Sequence, residues 1–410
     1  MKILIIVAYF IPEIGSASHV YYDLGKAFIN RGHDVEVITS YPREFNLNRE
    51  DIGKNYPLDE VIDGIRIHRC KHISLRDNIL LRGVEHFLLP LYYFLTYRRL
   101  KKKFDVCLIY MPPLPLYYFA RLLKKVDGTP SVLNYQDFHP QELTDVGVLK
   151  NGLMIKLLEF IERCSYENAD HIVVLSQGGI DYVLQRGGDP KRLTHIYNGG
   201  LIEDYKNYLS SSSFKETNGL QEKFLVTYAG ILSPFQGVDN ILDAAKELIE
   251  FGDILFYIVG DGIIKEHLEL RIINEKISNV KLIPYQQRRV YFDIINSSNI
   301  AIISLDNRMQ APCLPGKIIN LVALGKPIIA LVPVNSECAK VVRKWNFGEI
   351  AQPNNAEGLK NIVLMLKDNK KRLNKLGLNG KKFFNSNMDL NRTILEFENV
   401  FESVITSRYK

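Results

Sequence analysis

Three loops in this sequence of 410 residues carry side chains whose types and spacing could do chemistry. Tyr135-Gln136-Asp137-Phe138-His139-Pro140-Gln141-Glu142 follows the apolar stretch Pro130–Asn134, so it falls where a buried strand ends. Asp137 and His139 there could orient a hydroxyl or pass a proton. An aspartate close to a proline is as readily a turn former, and the strand-end position tips the reading toward chemistry. Gly15, after the run Met1–Phe10, would let backbone approach a ligand, and the helix that follows it offers free amides to a diphosphate or sugar acid; a plain strand-to-helix turn would use the same residue. The spacing is not G-x-G-x-x-G, which weakens a dinucleotide reading. In Pro312-Cys313-Leu314-Pro315-Gly316-Lys317-Ile318-Ile319-Asn320, Lys317 sits at a helix start where a cation and amides could meet phosphate charge. Gly230 and Gly260 each close a further apolar run, and Val259-Gly260-Asp261-Gly262 could equally be only a turn.

These loops need a scaffold that presents strand ends. Short Val- and Ile-rich runs alternate with segments of helical period, the pattern of parallel strands joined by crossover helices. The first half gives strands at Lys2–Tyr9, Asp34–Thr39, Ile65–Arg69, Asp105–Tyr110, Pro130–Asn134 and His171–Leu175; the second restarts at Phe224–Ala229, Ile254–Val259, Val280–Ile283, Ile300–Ser304 and Pro327–Leu331. The fold class is α/β, with two doubly wound Rossmann-like domains facing a central cleft. Ile202–Gln221, polar and carrying four consecutive serines, reads as a linker. The expected boundaries are 1–202, a linker at 203–221, and 222–388. Asn391–Ile405 has the apolar spacing of an amphipathic helix packed on a domain surface.

Composition closes several functional classes. Apolar residues at 46% and charged residues at 24% exclude disorder as the main state. Five scattered cysteines give neither a disulfide framework nor a zinc motif and suit a reducing cytosol. No metal-ligand cluster appears, so metal independence is expected. The longest apolar stretch, Phe87–Tyr97, is too short to span a bilayer. Lys+Arg number 52 against 46 Asp+Glu, a net +6, but Arg66–Lys125 alone carries 13 bases and three acids, a local +10. Within it an aromatic run leads into Arg98-Arg99-Leu100-Lys101-Lys102-Lys103, so residues 82–103 could lie on an anionic membrane surface or form a core helix with a solvated basic end. No nucleic-acid motif accompanies the charge.

Taken together, ILIIVAYFIPEIGSASHVYYDLGKAFINRGHDVEVIT, NYQDFHPQELTDVGVLKNGLMIKLLEFIERCSYENADHIVVLS, HIYNGG, LVTYAGILSPFQGVDNILDAA, YIVGDG and PGKIINLVALGKPIIA resemble, in order and over roughly residues 1–385, the GT-B glycosyltransferases of retaining family four, near the fucosamine-transferase-like O-antigen and capsule branch. The resemblance implies sugar transfer from a nucleotide-diphosphate donor, a UDP-sugar, held by the C-terminal domain, to a polyprenyl-diphosphate-linked saccharide on the N-terminal, acceptor-binding domain. It implies a cytoplasmic enzyme at the inner membrane face, and a last helix, about 389–410, returning to the N-terminal domain. By position, Gly15 would lie against donor phosphates or sugar with Glu13 beside it, Asp137 would match the branch's loop aspartate, and His139 stands where that loop has tryptophan. Gly230 and Gly260 would face the donor, Lys317 would bind its diphosphate, and Pro284 with the residues to Arg288 would frame the base. The sequence departs from the wider family where two glutamates are usual, having Pro312 and Asn320, and where a basic pair is usual, having Ser233 and Gln236 nearby. Asn320 has one acceptor oxygen for the ribose where a glutamate has two. A nucleotide-sugar 2-epimerase and a non-catalytic partner subunit remain open alternatives.

Overall fold

The computed structural model describes residues 1–13, 15–43, 47, 51–71, 79–201 and 214–407, with Ser16 and residues 79–84 described by their helical backbone alone. The chain divides into two units. Unit 1 is Met1–Thr144, Leu149–Gly199 and Leu390–Lys410; unit 2 is Asp145–Val148 and Gly200–Asp389.

In unit 1, strands β1 (Lys2–Ile6), β2 (Asp34–Ser40), β3 (Asp59–Ile62), β4 (Ile65–Cys70), β5 (Val106–Met111), β6 (Ser131–Tyr135), β7 (His171–Val174) and β8 (Leu193–His195) form one sheet in the order β3-β4-β2-β1-β5-β6-β7-β8. Every pairing is parallel except the β3–β4 hairpin. The central strands read as continuous apolar runs because helices cover both faces, and Ile3, Leu4, Ile5 and Ile6 are all fully buried. Order reverses between β1, which pairs with β2, and β5, so the loops leaving these strands border the crevice where such sheets bind ligands.

Unit 2 repeats the plan with β9 (Phe224–Ala229), β10 (Ile254–Val259), β11 (Val280–Ile283), β12 (Ile300–Ser304), β13 (Ile328–Leu331) and β14 (Gly348–Ala351), ordered β11-β10-β9-β12-β13-β14 and parallel throughout. Its reversal lies between β9 and β12. The core runs from Phe224, Val226 and Tyr228 through Ile258 and Ile302 to Leu359 and Val363.

Three strands, β3, β8 and β14, have no counterpart among the sequence expectations. Each is short and lies at a sheet edge, where half-solvated residues break the apolar run that marks a central strand. The expected linker also needs correction at its end. Residues 202–213 lie outside the described residues, but Phe214–Thr217 forms a helical turn, Phe214 packs edge-on against Tyr257 and Leu220 is buried with Leu225. Two apolar anchors in a polar sequence suffice to dock this stretch on unit 2.

The aromatic run of unit 1 lies in the helix Ile79–Leu100. Leu89, Tyr93 and Tyr97 are buried, whereas Phe87, Leu88, Leu91 and Leu95 are 37–55% exposed. The two expectations for this segment therefore each describe one face. Arg82, where the proposed surface segment starts, has a side chain outside the described residues. No helix among the described residues is long and apolar enough to cross a membrane.

The helix Leu390–Ser407 belongs to unit 1. Phe397 and Phe401 pack on Phe28, and Glu398 takes both Arg31 and His33.

Candidate active site

Unit 2 assembles its candidate residues around the end of β9. Gly230 follows the strand, its amide bonded to Val259 O at 2.9 Å. A Cβ on Gly260 would overlap the Gly230 carbonyl, and φ of Gly260 is 156°. Leu232 N donates to Asp261 O, Gly260 N to Ile283 O, and Tyr285 N to the Asp261 carboxylate. The loops after β9, β10 and β11 are thus laced through their backbones, and Gly260 is required by close approach rather than by a turn alone. Pro284 leaves β11 at the outer, exposed end of this series.

Lys317, just before the helix Ile318–Ala323, reaches back toward Gly230: its Nζ would lie 2.7 Å from a Cβ there. The ammonium sits 4.1 Å from the centre of the Tyr228 ring and donates to Gln236 Oε1 at 3.1 Å. The single Tyr228 hydroxyl proton goes to Ile231 O at 2.9 Å, with the same Gln236 oxygen as an alternative acceptor at 3.3 Å. Among the described residues no carboxylate pairs with Lys317, and burial pulls its pKa down to about 7, with only the Cys313 and Cys338 thiols opposing. A half-buried cation held by a ring face and a neutral amide is poised to gain an anion. Asn320, one turn on, donates weakly to the Tyr291 hydroxyl at 3.5 Å. Gln236 and Tyr228 hold Lys317 in this arrangement, and the sequence does not single them out as its partners; Gln236 shows there only as a departure from a basic position.

In unit 1, Glu13 and Gly15 lie on the loop leaving β1. Gly15 caps the helix Ser16–Asn30 at φ 150°, ψ 157°, a conformation suited to glycine. Glu13 is 1% exposed and its carboxylate accepts from Arg43 N at 3.3 Å. Arg43 in turn donates to Glu85 and lies over Tyr9, so Glu13 is engaged in a buried charge network behind the loop.

Asp137 and His139 leave β6. Phe138 between them is stacked on Tyr135 and packed against Tyr182 at 4.5 Å, and its amide donates to the buried Glu142 carboxylate at 3.2 Å. These contacts fix the loop and turn its two polar neighbours away from the core. Burial raises the Asp137 carboxyl to about 6. His139 is held down, to about 4, by burial and then by His86, and its ring is 3.9 Å from Glu142. Asp137 is therefore the proton acceptor of the pair near neutrality, and His139 a neutral hydrogen-bonding group.

A polar chain that sequence reading missed supports this loop. Gln136 and Asn198 exchange reciprocal amide hydrogen bonds at 3.1 and 2.5 Å; Gln136 also donates to Asn134 at 3.1 Å, and Asn134 to Tyr21 at 2.8 Å. Its one sequence signal is Asn134 inside an otherwise apolar strand, since a buried amide must find partners.

Residues 15–199 match the glycosyl transferase 4-like domain, and residues 211–383 match the glycosyl transferases group 1 family. The chain is a GT-B glycosyltransferase. This glycosyltransferase is 22% identical over 386 residues to the putative colanic acid biosynthesis glycosyl transferase WcaI of Escherichia coli, covering 90% of this chain and 94% of that one. Its fold matches that of HepE from Anabaena, solved with UDP, at TM-score 0.74 and 16% identity, covering 98% and 100% of the two chains. It also matches sucrose-phosphate synthase from Thermosynechococcus elongatus at 0.77 and 15%, covering 99% of each.

Proposed function

We propose that this glycosyltransferase transfers a sugar from a UDP-sugar to a lipid-linked saccharide, with retention at the anomeric carbon, in surface polysaccharide assembly at the inner face of the membrane. The observation that carries the donor half is Lys317, a half-buried ammonium with no carboxylate partner among the described residues, at the switch point of unit 2. A nucleoside diphosphate seated there gives Lys317 a counter-charge, with Gly230 leaving room for the Lys317 ammonium and Pro284 lying toward the base. HepE, solved with UDP, and WcaI, named for colanic acid biosynthesis, support the choice of nucleotide and of pathway class.

In the reaction the bond between the anomeric carbon and the diphosphate oxygen breaks, and the acceptor hydroxyl attacks from the face the leaving group departs. Negative charge grows on the diphosphate, where Lys317 is already fixed by Gln236 and Tyr228, so little reorganisation is needed. The hydroxyl proton passes to the diphosphate or to Asp137, the carboxylate with the raised pKa. Paired carboxylates about 5 Å apart, as in a retaining hydrolase, are not required, and the transfer proposed is metal-independent. Residues 82–103, with the exposed face of Phe87, Leu88, Leu91 and Leu95, bring the enzyme to the anionic surface where a polyprenyl-diphosphate acceptor resides.

The test is a panel of UDP-, GDP- and dTDP-sugars in calorimetry, followed by transfer assays with a polyprenyl-diphosphate saccharide in the presence and absence of EDTA. Binding of the UDP series and EDTA-insensitive transfer with a retained anomeric configuration are expected. Failure of every nucleotide to bind a folded sample would sink the reading.

A further inference from the structure

A second helix of unit 1 leaves an apolar face unpartnered. In the helix Gly152–Asn168, Ile161, Glu162, Ser165 and Tyr166 are buried, while Leu153, Met154, Leu157 and Phe160 are 82%, 36%, 44% and 62% exposed. Their spacing, i, i+1, i+4, i+7, puts all four on one side of the helix. Single exposed apolar residues are ordinary, but a row of four is not. Lys150, Lys156 and Arg163 flank it, all exposed, and among the described residues none of the three has an ion-pair partner; Glu159 is the acid between them.

The helix Ile79–Leu100 repeats the arrangement: Phe87, Leu88, Leu91 and Leu95 stand at i, i+1, i+4, i+8. Of the bases that follow, Lys102 is committed to Glu36 and Arg99 to Asp59, which leaves Arg98, Lys101 and Lys103 exposed without an ion pair among the described residues. Both helices pack on the same buried turn, Leu114–Leu116, and the helix that continues from that turn exposes Tyr118 and Arg121.

We infer that the Gly152–Asn168 helix is a second lipid-contacting element, which with the Ile79–Leu100 helix makes a two-helix face for an anionic bilayer. This rests on the proposal that the enzyme works at a membrane, and it adds an element that the sequence analysis did not single out. Charge decides the occupant. A second copy of the chain joined through this face across a two-fold axis would set rims of the same sign against each other. An anionic lipid surface accepts the apolar rows and the cations together.

The test is sedimentation of the full chain with vesicles of equal parts phosphatidylglycerol and phosphatidylcholine, and with phosphatidylcholine alone. Wild type should bind the anionic vesicles preferentially. Leu157→Ser with Phe160→Ser should lower that affinity by about tenfold or more, and Lys156→Glu with Arg163→Glu by about tenfold, without changing circular dichroism or UDP affinity. Wild-type vesicle binding by both α-helical variants would overturn the inference. So would a wild-type dimer in sedimentation velocity that the Leu157/Phe160 pair dissolves. Intact UDP binding with no vesicle binding by wild type would overturn the lipid contact and leave the transferase reading standing.

Discussion

Lys317 without its ligand is a cation held in a poor place for one, and that sets the pH behaviour of donor binding. Its pKa lies near 7 in the free protein because burial disfavours the charge, and a bound diphosphate restores the proton. Above pH 7 the site must therefore take up a proton to bind, so UDP affinity should fall by up to about tenfold per pH unit between pH 7 and about 9. Calorimetry in buffers of different ionisation heat reads both the slope and the proton uptake; a flat profile would remove the lysine from the phosphate site. Lys317→Ala should weaken UDP binding by about 1.5 to 3 kcal/mol, and Lys317→Arg should abolish the pH slope because a guanidinium stays charged. For Asp137 the sign is opposite. Its carboxyl, raised by burial to about 6, becomes a base as pH rises through that value, so kcat should climb across it. Asp137→Asn should flatten that limb and cut turnover more than donor affinity.

Among the elements, the loops that carry these residues are held by contacts of two kinds. Gly260 is fixed by backbone approach: Gly260→Ala meets both the Gly230 carbonyl and an unsuitable φ, and should destabilise unit 2 by about 3 kcal/mol or more, read as a drop in its thermal midpoint. Gln136 and Asn198 are fixed by each other. Alanine at either should cost turnover, and the double variant should lose less than the two single losses combined, with a coupling of about 0.5 to 3 kcal/mol; simple additivity would show that the pair does not act as a unit. Much of this scaffold was legible beforehand. All eleven strands read from the sequence are present, chiefly because a strand covered on both faces is mostly apolar along its length; β4, with Arg66, His68 and Arg69, departs from that rule. The β3–β4 hairpin was missed although Asp63-Gly64, both at positive φ, is a two-residue turn signature that could have revealed it. The candidate loops could be placed at strand ends from sequence, and their glycines and Lys317 came with them. The partners could not be: Gln236, Tyr228, Asn198 and Tyr21 reach the site from positions far along the chain, and only the folded backbone brings them in.

At the level of the whole molecule, besides the short excursion at Asp145–Val148, the chain passes between units at Gly199–Gly200 and at Asp389–Leu390, and these last two passages are hydrogen-bonded together. Thr393 donates to Tyr197 O and Gly200 N to Met388 O; a Cβ on Gly199 would press on Leu390 and Thr393. Residues from the far end of the sequence thus complete the first unit. Phe401→Ala, at a fully buried position, should cost about 3 to 4 kcal/mol and lower the stability of unit 1 in thermal unfolding while leaving UDP affinity unchanged. The Glu398 carboxylate is held below its ordinary range by Arg31 and then His33, so its share of stability is present above the ordinary glutamate pKa and is lost as pH falls through the depressed one. Glu398→Gln should make unit 1 less sensitive to acid. The same closure imposes an order on biosynthesis. As the chain leaves the ribosome, Phe28 and its neighbours must wait for Phe397 and Phe401, so the nascent first unit carries a bare apolar face throughout synthesis of the second. A message cut short anywhere before the last helix yields a product marked by that face for chaperones and proteases.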